Sequence, residues 1–348
     1  MPKKYHCKQM AYLDNGLMNS AQRSNDKSVI AVVGSGAVGQ FYAAQLIYGG
    51  HELRLLARRD AAALAERGLC VHQTPVPQIK SSTEYSTLQI SPDRFTVSTS
   101  PERLAGVPRP DWVLVALKTT ALGQARALVE PLLRYNTGIV IMCNGIGVED
   151  RFAEWFGPER VFGLLCFIGV NRDDDATIRH LAFGHVAAGH FQDDSAQRSR
   201  LARLFESAGV TCENTESLLE ARWRKLGWNL PFNGLSLLYN CTTDAIVGDK
   251  ERRDFARQLA EEAVTIGNLD LAAHGQKAQI EADWAKVQLS RTDTMGAYAP
   301  STLLDARAGR AQELEMMFLE PARRAKLLGA TAPALFRLLA AFSAQGLL

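Results

Sequence analysis

Three polar side chains interrupt an otherwise apolar run in the second half of the chain. In "RWRKLGWNLPFNGLSLLYN", Arg222 to Asn240, the residues Lys225, Asn229 and Asn233 recur at i, i+4 and i+8. That spacing sets an amine and two amides on nearly one face of a helix. The remaining positions are rich in Trp223, Leu226, Leu230, Phe232 and Leu237. Either the polar face meets solvent or it lines a wet pocket, and the apolar flanks favour the pocket. Pro231 lacks a backbone N–H and is expected to kink the helix.

A second constellation is contiguous. Gly34-Ser35-Gly36-Ala37-Val38-Gly39 is a G-x-G-x-x-G run placed directly after a β-branched stretch and at the start of a helical one. In that context Gly34 allows the tight turn, Gly36 lets a pyrophosphate approach the backbone, and Gly39 permits close helix–sheet packing. The free N–H groups at the helix start complete an anion site. An NAD enzyme is expected to carry Asp or Glu at the end of the next strand, but here that strand ends in Ala57-Arg58-Arg59. A guanidinium pairs with a phosphate and offers no acceptor to a ribose hydroxyl, so the reading is NADP, with Arg58 as the contact and Arg59 in reserve.

Other candidates are single residues. Lys118 and Asn144 end the apolar runs "VLVALK" and "IVIMCN", where the carboxyl ends of strands face the ligand crevice of an open α/β sheet. Each could equally be an ordinary polar terminus. In "YAPSTLLDARAGRAQELEMM", Ser301 suits a helix N-cap, and Glu313 suits surface charge on a helix carrying Leu314, Met317 and Phe318.

These residues need elements to position them. Ser28–Val33, Ala37–Tyr48 and Glu52–Ala57 read as strand, helix and strand in about 30 residues, the length of a βαβ unit. The alternation continues through Asp111–Lys118, Ala121–Leu133, Gly138–Gly145 and Val148–Phe156, which predicts a mostly parallel, doubly wound sheet. Gln73–Val107 reads as an insertion of short strands and loops, and "HLAFGHVAAGHF" as a late strand pair. From about Glu216 only helical patterns run on. The expected architecture is therefore α/β: a polar, disordered tail over residues 1–27, a Rossmann-type NADP-binding domain over 28–215, and an all-helical substrate and catalytic domain over 216–348. Met18 is an alternative start for the chain.

Composition narrows the class. The 348 residues are 47% hydrophobic and 22% charged, with a net charge of +2 and interspersed signs, which argues against a nucleic-acid or acidic-membrane partner. No apolar stretch approaches the roughly 20 residues of a membrane helix. The first 27 residues lack the apolar core of a secretory signal. The six cysteines show neither C-x-x-C nor zinc-like spacing and read as reduced thiols of a cytoplasmic protein with no metal site.

Taken together, the motifs resemble the ketopantoate reductase (2-dehydropantoate 2-reductase) family from about Ser28 to Phe342. The resemblance runs through Gly34–Gly39, Gly50-His51-Glu52-Leu53, Arg58, Lys118, Asn144-Gly145-Ile146-Gly147, Trp223–Asn233 and Pro300–Glu315. It implies that Lys225 is the general acid and that Glu313 assists at the substrate hydroxyl. It also implies that Asn144, Asn229, Asn233 and Ser301 line the substrate site. Residues Gly34–Gly39, Arg58, Lys118 and Asn144 would then face the cofactor. The implied activity is NADPH-dependent reduction of a 2-oxo acid, with ketopantoate giving pantoate for pantothenate and coenzyme A synthesis. The alternatives are another bulky 2-oxo acid or a catalytically silent NADPH sensor; a homodimer is a candidate assembly. The chain departs from the family pattern at Glu320-Pro321, where Gly-containing sequence is usual, and at "ATAPALFR", which lacks an Asn.

Overall fold

The computed structural model describes residues 27–173 and 175–348, so most of the expected tail and the alternative start at Met18 lie outside the described residues. Strand β1 (Val29–Val33) is buried along its whole length. Its side chains divide by parity: Ile30 and Val32 enter one core, Ala31 and Val33 another, as a strand covered on both faces requires. Helix α1 (Ala37–Tyr48) returns the chain to β2 (Glu52–Leu56), which pairs parallel with β1 and completes the βαβ unit.

The next stretch holds α2 (Ala61–Arg67), β3 (Leu69–His72), α3 (Lys80–Glu84), β4 (Thr87–Ile90), β5 (Thr96–Ser98) and α4 (Pro101–Ala105). Within Gln73–Val107 the structure has the short strands the sequence suggests, together with the short helices α3 and α4, and they are no appendage. Strand β5 pairs parallel with β2 at one edge of the sheet, and β4 pairs with β3 at the other. Then follow β6 (Trp112–Val115), α5 (Leu122–Val129), β7 (Gly138–Ile141) and α6 (Val148–Phe156).

Two long strands, β8 (Val161–Arg172) and β9 (Ile178–His190), form one antiparallel hairpin. Here the structure corrects the reading of "HLAFGHVAAGHF" as two strands: it lies almost wholly within β9. The strand is irregular at Phe183 (φ 59) and Gly184 (φ +121), and register shifts at Phe167/Ile168 and Gly169/Val170 absorb this without ending it. Helix α7 (Ser195–Ser207) and β10 (Cys212–Asn214) end the strand-bearing part. The ten strands form one sheet in the order β4-β3-β9-β8-β7-β6-β1-β2-β5, with β10 paired to β9.

Among the described residues, only helices follow. They are α8 (Leu218–Tyr239), α9 (Thr243–Val247), α10 (Lys250–Ala273), α11 (Trp284–Thr292), α12 (Ser301–Arg307), a π-helical turn over Glu315–Leu319, α13 (Glu320–Leu327) and α14 (Pro333–Ala344). Ser217 caps α8 by accepting from the Glu220 N–H at 3.0 Å, and left-handed Asn240 closes it. The helix runs on through Pro231 as one element. It is buried around Trp223, Leu226, Leu230 and Phe232 against Leu259 and Ala263 of α10 and Leu338 of α14. No helix among the described residues is long and apolar enough to cross a membrane.

Candidate active site

The glycine loop forms where β1 hands over to α1. Gly34 sits at φ +113, and a Cβ there would lie 2.7 Å from the Ala116 carbonyl oxygen. A Cβ on Gly39 would lie 2.1 Å from the Gly34 oxygen, so helix and strand approach as closely as backbone permits. Gly36 is different: a Cβ there would meet nothing within 4 Å, which leaves its backbone open to a ligand. The α1 N-terminus has no side-chain cap and no acidic residue in its first turn. Open backbone and uncapped N–H groups are what a pyrophosphate needs, so the loop fits a dinucleotide.

Arg58 and Arg59 are both exposed just beyond β2, and Arg58 Nη1 lies 3.4 Å from Gln124 Oε1 of α5. Two further charges stand here that sequence reasoning missed. Asp60 receives Ser35 Oγ at 3.5 Å and Gln40 Nε2 at 3.4 Å, and it pairs with Arg172 at the end of β8.

The opening question about α8 is answered by burial. Asn229 is 7% exposed and Asn233 2%, so the two amides do not meet solvent, while Lys225 is half-buried. Lys225 Nζ donates to the Cys166 carbonyl of β8 at 2.9 Å and to Asn144 Oδ1 at 3.2 Å. It also lies 5.3 Å over the Phe167 ring, which stacks on His185. One turn on, Asn233 Nδ2 donates to Asn229 Oδ1 at 3.3 Å. Asn233 Oδ1 in turn accepts from Ser301 Oγ at 3.3 Å, from Thr302 N at 3.2 Å and from Thr302 Oγ1 at 2.9 Å. Lysine, two amides and the start of α12 thus make one continuous wall.

Glu313 faces that wall from the loop ahead of the π-helical turn. Its Oε1 accepts the Thr119 N–H at 2.8 Å, just past Lys118. Among the described residues, Lys225 and Glu313 form no direct ion pair; Asn144 is the group near both. The turn bearing Asn144 is fixed to the segment bearing Glu313: Ile146 N–H donates to the Met316 carbonyl at 3.0 Å. Gly145, at φ +92, leaves no room for a Cβ, which would lie 2.4 Å from that same oxygen. Lys118 ends up three residues beyond β6 rather than closing it, and its ammonium pairs with Asp305 of α12 at 2.5 Å. Ser301 is the first residue of α12 and exposed; Pro300 occupies the N-cap position.

The electrostatics follow from burial. Loss of solvent pushes the Lys225 ammonium pKa down to about 8; the Arg222 charge pushes the same way and the Glu313 charge opposes it. Burial also raises the Glu313 carboxyl, against the Thr119 N–H, the Lys118 charge and Asn144. Arg222, one turn before Lys225, is a further residue that sequence reasoning missed. It is buried against Glu149 of α6 and donates to the Cys143 carbonyl at 2.9 Å and the Ile141 carbonyl at 3.1 Å. It therefore locks α8 to the carboxyl end of β7, at the turn that carries Asn144.

A dinucleotide fold joined to a helical unit at a lysine–carboxylate–amide cluster fits an oxidoreductase that uses a nicotinamide cofactor. Comparison with known proteins makes this specific. The family model "Ketopantoate reductase PanE/ApbA" matches residues 30–193, and its C-terminal counterpart matches residues 217–345. The chain belongs to the ketopantoate reductase family. It is 28% identical over 313 residues to a 2-dehydropantoate 2-reductase of Nostoc, an alignment spanning 87% of this chain and 90% of that protein. A solved 2-dehydropantoate 2-reductase of Geobacter metallireducens superposes with a TM-score of 0.82 at 32% identity, covering 91% of this chain and 99% of that one. The enzyme of Methylococcus capsulatus gives 0.79 at 28% identity, covering 92% and 97%.

Proposed function

We propose that this protein reduces 2-dehydropantoate (ketopantoate) to pantoate with NADPH. The observation that carries the reading is Lys225, an ammonium held between Asn144 and the Cys166 carbonyl at the foot of a wall of amides. NADPH, when bound, supplies the hydride that reaches the keto carbon of the 2-oxo acid. The Gly34–Gly39 backbone and the α1 N-terminus would hold its pyrophosphate, Arg58 would pair with its 2′-phosphate, and Lys118 and Asn144 would border its nicotinamide end.

A keto carbon that gains a hydride needs a proton on its oxygen, and positive charge beside that oxygen lowers the barrier. Lys225 Nζ supplies both. A pKa near 8 leaves the amine mostly protonated at neutral pH yet acidic enough to give up its proton. Glu313 supports the charged amine from across Asn144 and takes a hydrogen bond from the new hydroxyl when ionised. Asn229, Asn233 and Ser301 line the substrate site, with the exposed Ser301 hydroxyl facing the carboxylate beside the keto carbon. Loss of the Lys225–Asn144 contact would leave the ammonium without its side-chain anchor.

The cytoplasm and a homodimer belong to the same reading. The free thiols of Cys143, Cys166 and Cys241 support the first, and light scattering tests the second. The substrate assignment is tested by NADPH oxidation with ketopantoate against a panel of straight-chain, branched and aryl 2-oxo acids. The highest kcat/KM is expected for ketopantoate. A higher value for another acid transfers the assignment to it, and no oxidation with any of them ends the enzymatic reading.

A further inference from the structure

Asp60 stands beside a loop built to bind phosphate, where a bare carboxylate would repel the ligand. All three of its side-chain contacts converge on Oδ2, from Ser35, Gln40 and Arg172. Arg172 comes from the far end of β8, 112 residues on in the sequence. Among the described residues, Asp60 is its one side-chain partner, so most of the five N–H donors of its guanidinium are unused. The Arg172 side chain is 29% exposed, Asp60 12%, so the pair sits at the rim of the loop.

A hairpin anchor is the simpler explanation, but the hairpin end is anchored without this pair. Strand β9 pairs with β3 through Val71–Ile178 and His72–Arg179, and Arg67 of α2 donates to the Asp175 carbonyl at 2.9 Å. Gln40 adds a second observation. It is fully buried, spans the Ser35 carbonyl at 2.7 Å and Asp60, and its own Oε1 has no partner. The glycine loop, Gln40 and Asp60 are thus one polar unit, and Arg172 is the cation that completes it.

We propose that Arg172 is a cofactor-binding residue: Asp60 holds its guanidinium at the rim of the Ser35 loop, where it contacts a phosphate of the bound dinucleotide. The inference rests on the reading that the loop takes NADPH. Asp60 then positions a second phosphate donor beside Arg58, and its own charge is cancelled before the phosphate arrives.

The test is fluorescence titration of the full chain with NADPH and with NADH, using wild type, R172M, R172K, D60N and the R172M/D60N double variant. R172M should weaken NADPH by about tenfold or more, the scale of a charge-assisted hydrogen bond. R172K, which keeps the charge but loses the fork, should fall between. D60N, which loosens the anchor of the guanidinium, should weaken NADPH by less than R172M does, and the double variant should stay as weak as R172M. A loss shared by NADPH and NADH assigns the contact to the pyrophosphate; a loss for NADPH alone assigns it to the 2′-phosphate. R172M binding within twofold of wild type overturns the proposal. So does full recovery in R172M/D60N, because Arg172 would then only neutralise Asp60. A wild-type protein that binds neither dinucleotide overturns the functional reading as well, which separates the two failures.

Discussion

The glycine loop and the Lys225 cleft are built on opposite principles. The loop is six contiguous residues whose work is done by backbone: a positive-φ turn at Gly34, an open approach at Gly36 and a contact at Gly39 that excludes any side chain. The cleft is made of side chains delivered by separate elements: Lys225 and Asn233 by α8, Asn144 by the turn after β7, Glu313 by the loop before a π-helical turn. Backbone sites survive almost any change of neighbouring side chain. Side-chain sites depend on each element arriving in register, which is the task of the buried Arg222–Glu149 pair.

This contrast predicts a separation of effects. Lys225→Ala should lower turnover by about 10²–10⁴, the range of a lost acid–base group, while leaving NADPH affinity nearly unchanged. Glu313→Ala should cost less, and the double variant less than the product of the two, as the proposal that both act at one oxygen requires. Steady-state kinetics beside an NADPH titration and a melting curve would check this. Weakened cofactor binding in Lys225→Ala would mean that the two regions are one site.

The converse substitution is the next largest. Arg58→Ala should cost roughly 1.5–3 kcal/mol of NADPH affinity, about 10- to 150-fold, and much less for NADH. The turnover of saturated enzyme should be near normal. Equal weakening of both cofactors would remove the 2′-phosphate assignment and leave Arg58 an ordinary surface arginine.

The smallest expected effect lies outside both regions. A chain beginning at Met18 should match the full-length melting temperature and turnover, since residues 1–27 are polar and precede β1. A loss of several degrees would show that the tail packs on the body.

The same contrast governs what the sequence could reveal. The loop and its βαβ unit were legible because their signals are local: six residues, then an apolar strand, then a helical period. The Lys225–Asn229–Asn233 face was legible for the same reason, as a spacing within one helix. Strand β5 was not, because its partner β2 lies some 40 residues back and three residues carry little pattern of their own. Asp60 paired with Arg172 and Arg222 paired with Glu149 are separations of 112 and 73 residues, set only by the curvature of the sheet and the docking of α8. Glu313 shows the middle case: the resemblance singled it out, but its burial and its bond to the Thr119 N–H follow from packing alone.

The central claim, that Lys225 gives the proton, is tested most directly by the pH dependence of kcat/KM in wild type and Lys225→Ala with the best 2-oxo acid. The folded pKa is depressed to about 8, so the ammonium is present below that pH and is lost as pH rises through it. Wild-type kcat/KM should therefore hold below about pH 8 and fall tenfold per unit above it, and the residual activity of Lys225→Ala should lack that limb. A wild-type rate that stays level to pH 10, or the same falling limb in Lys225→Ala, would contradict the account.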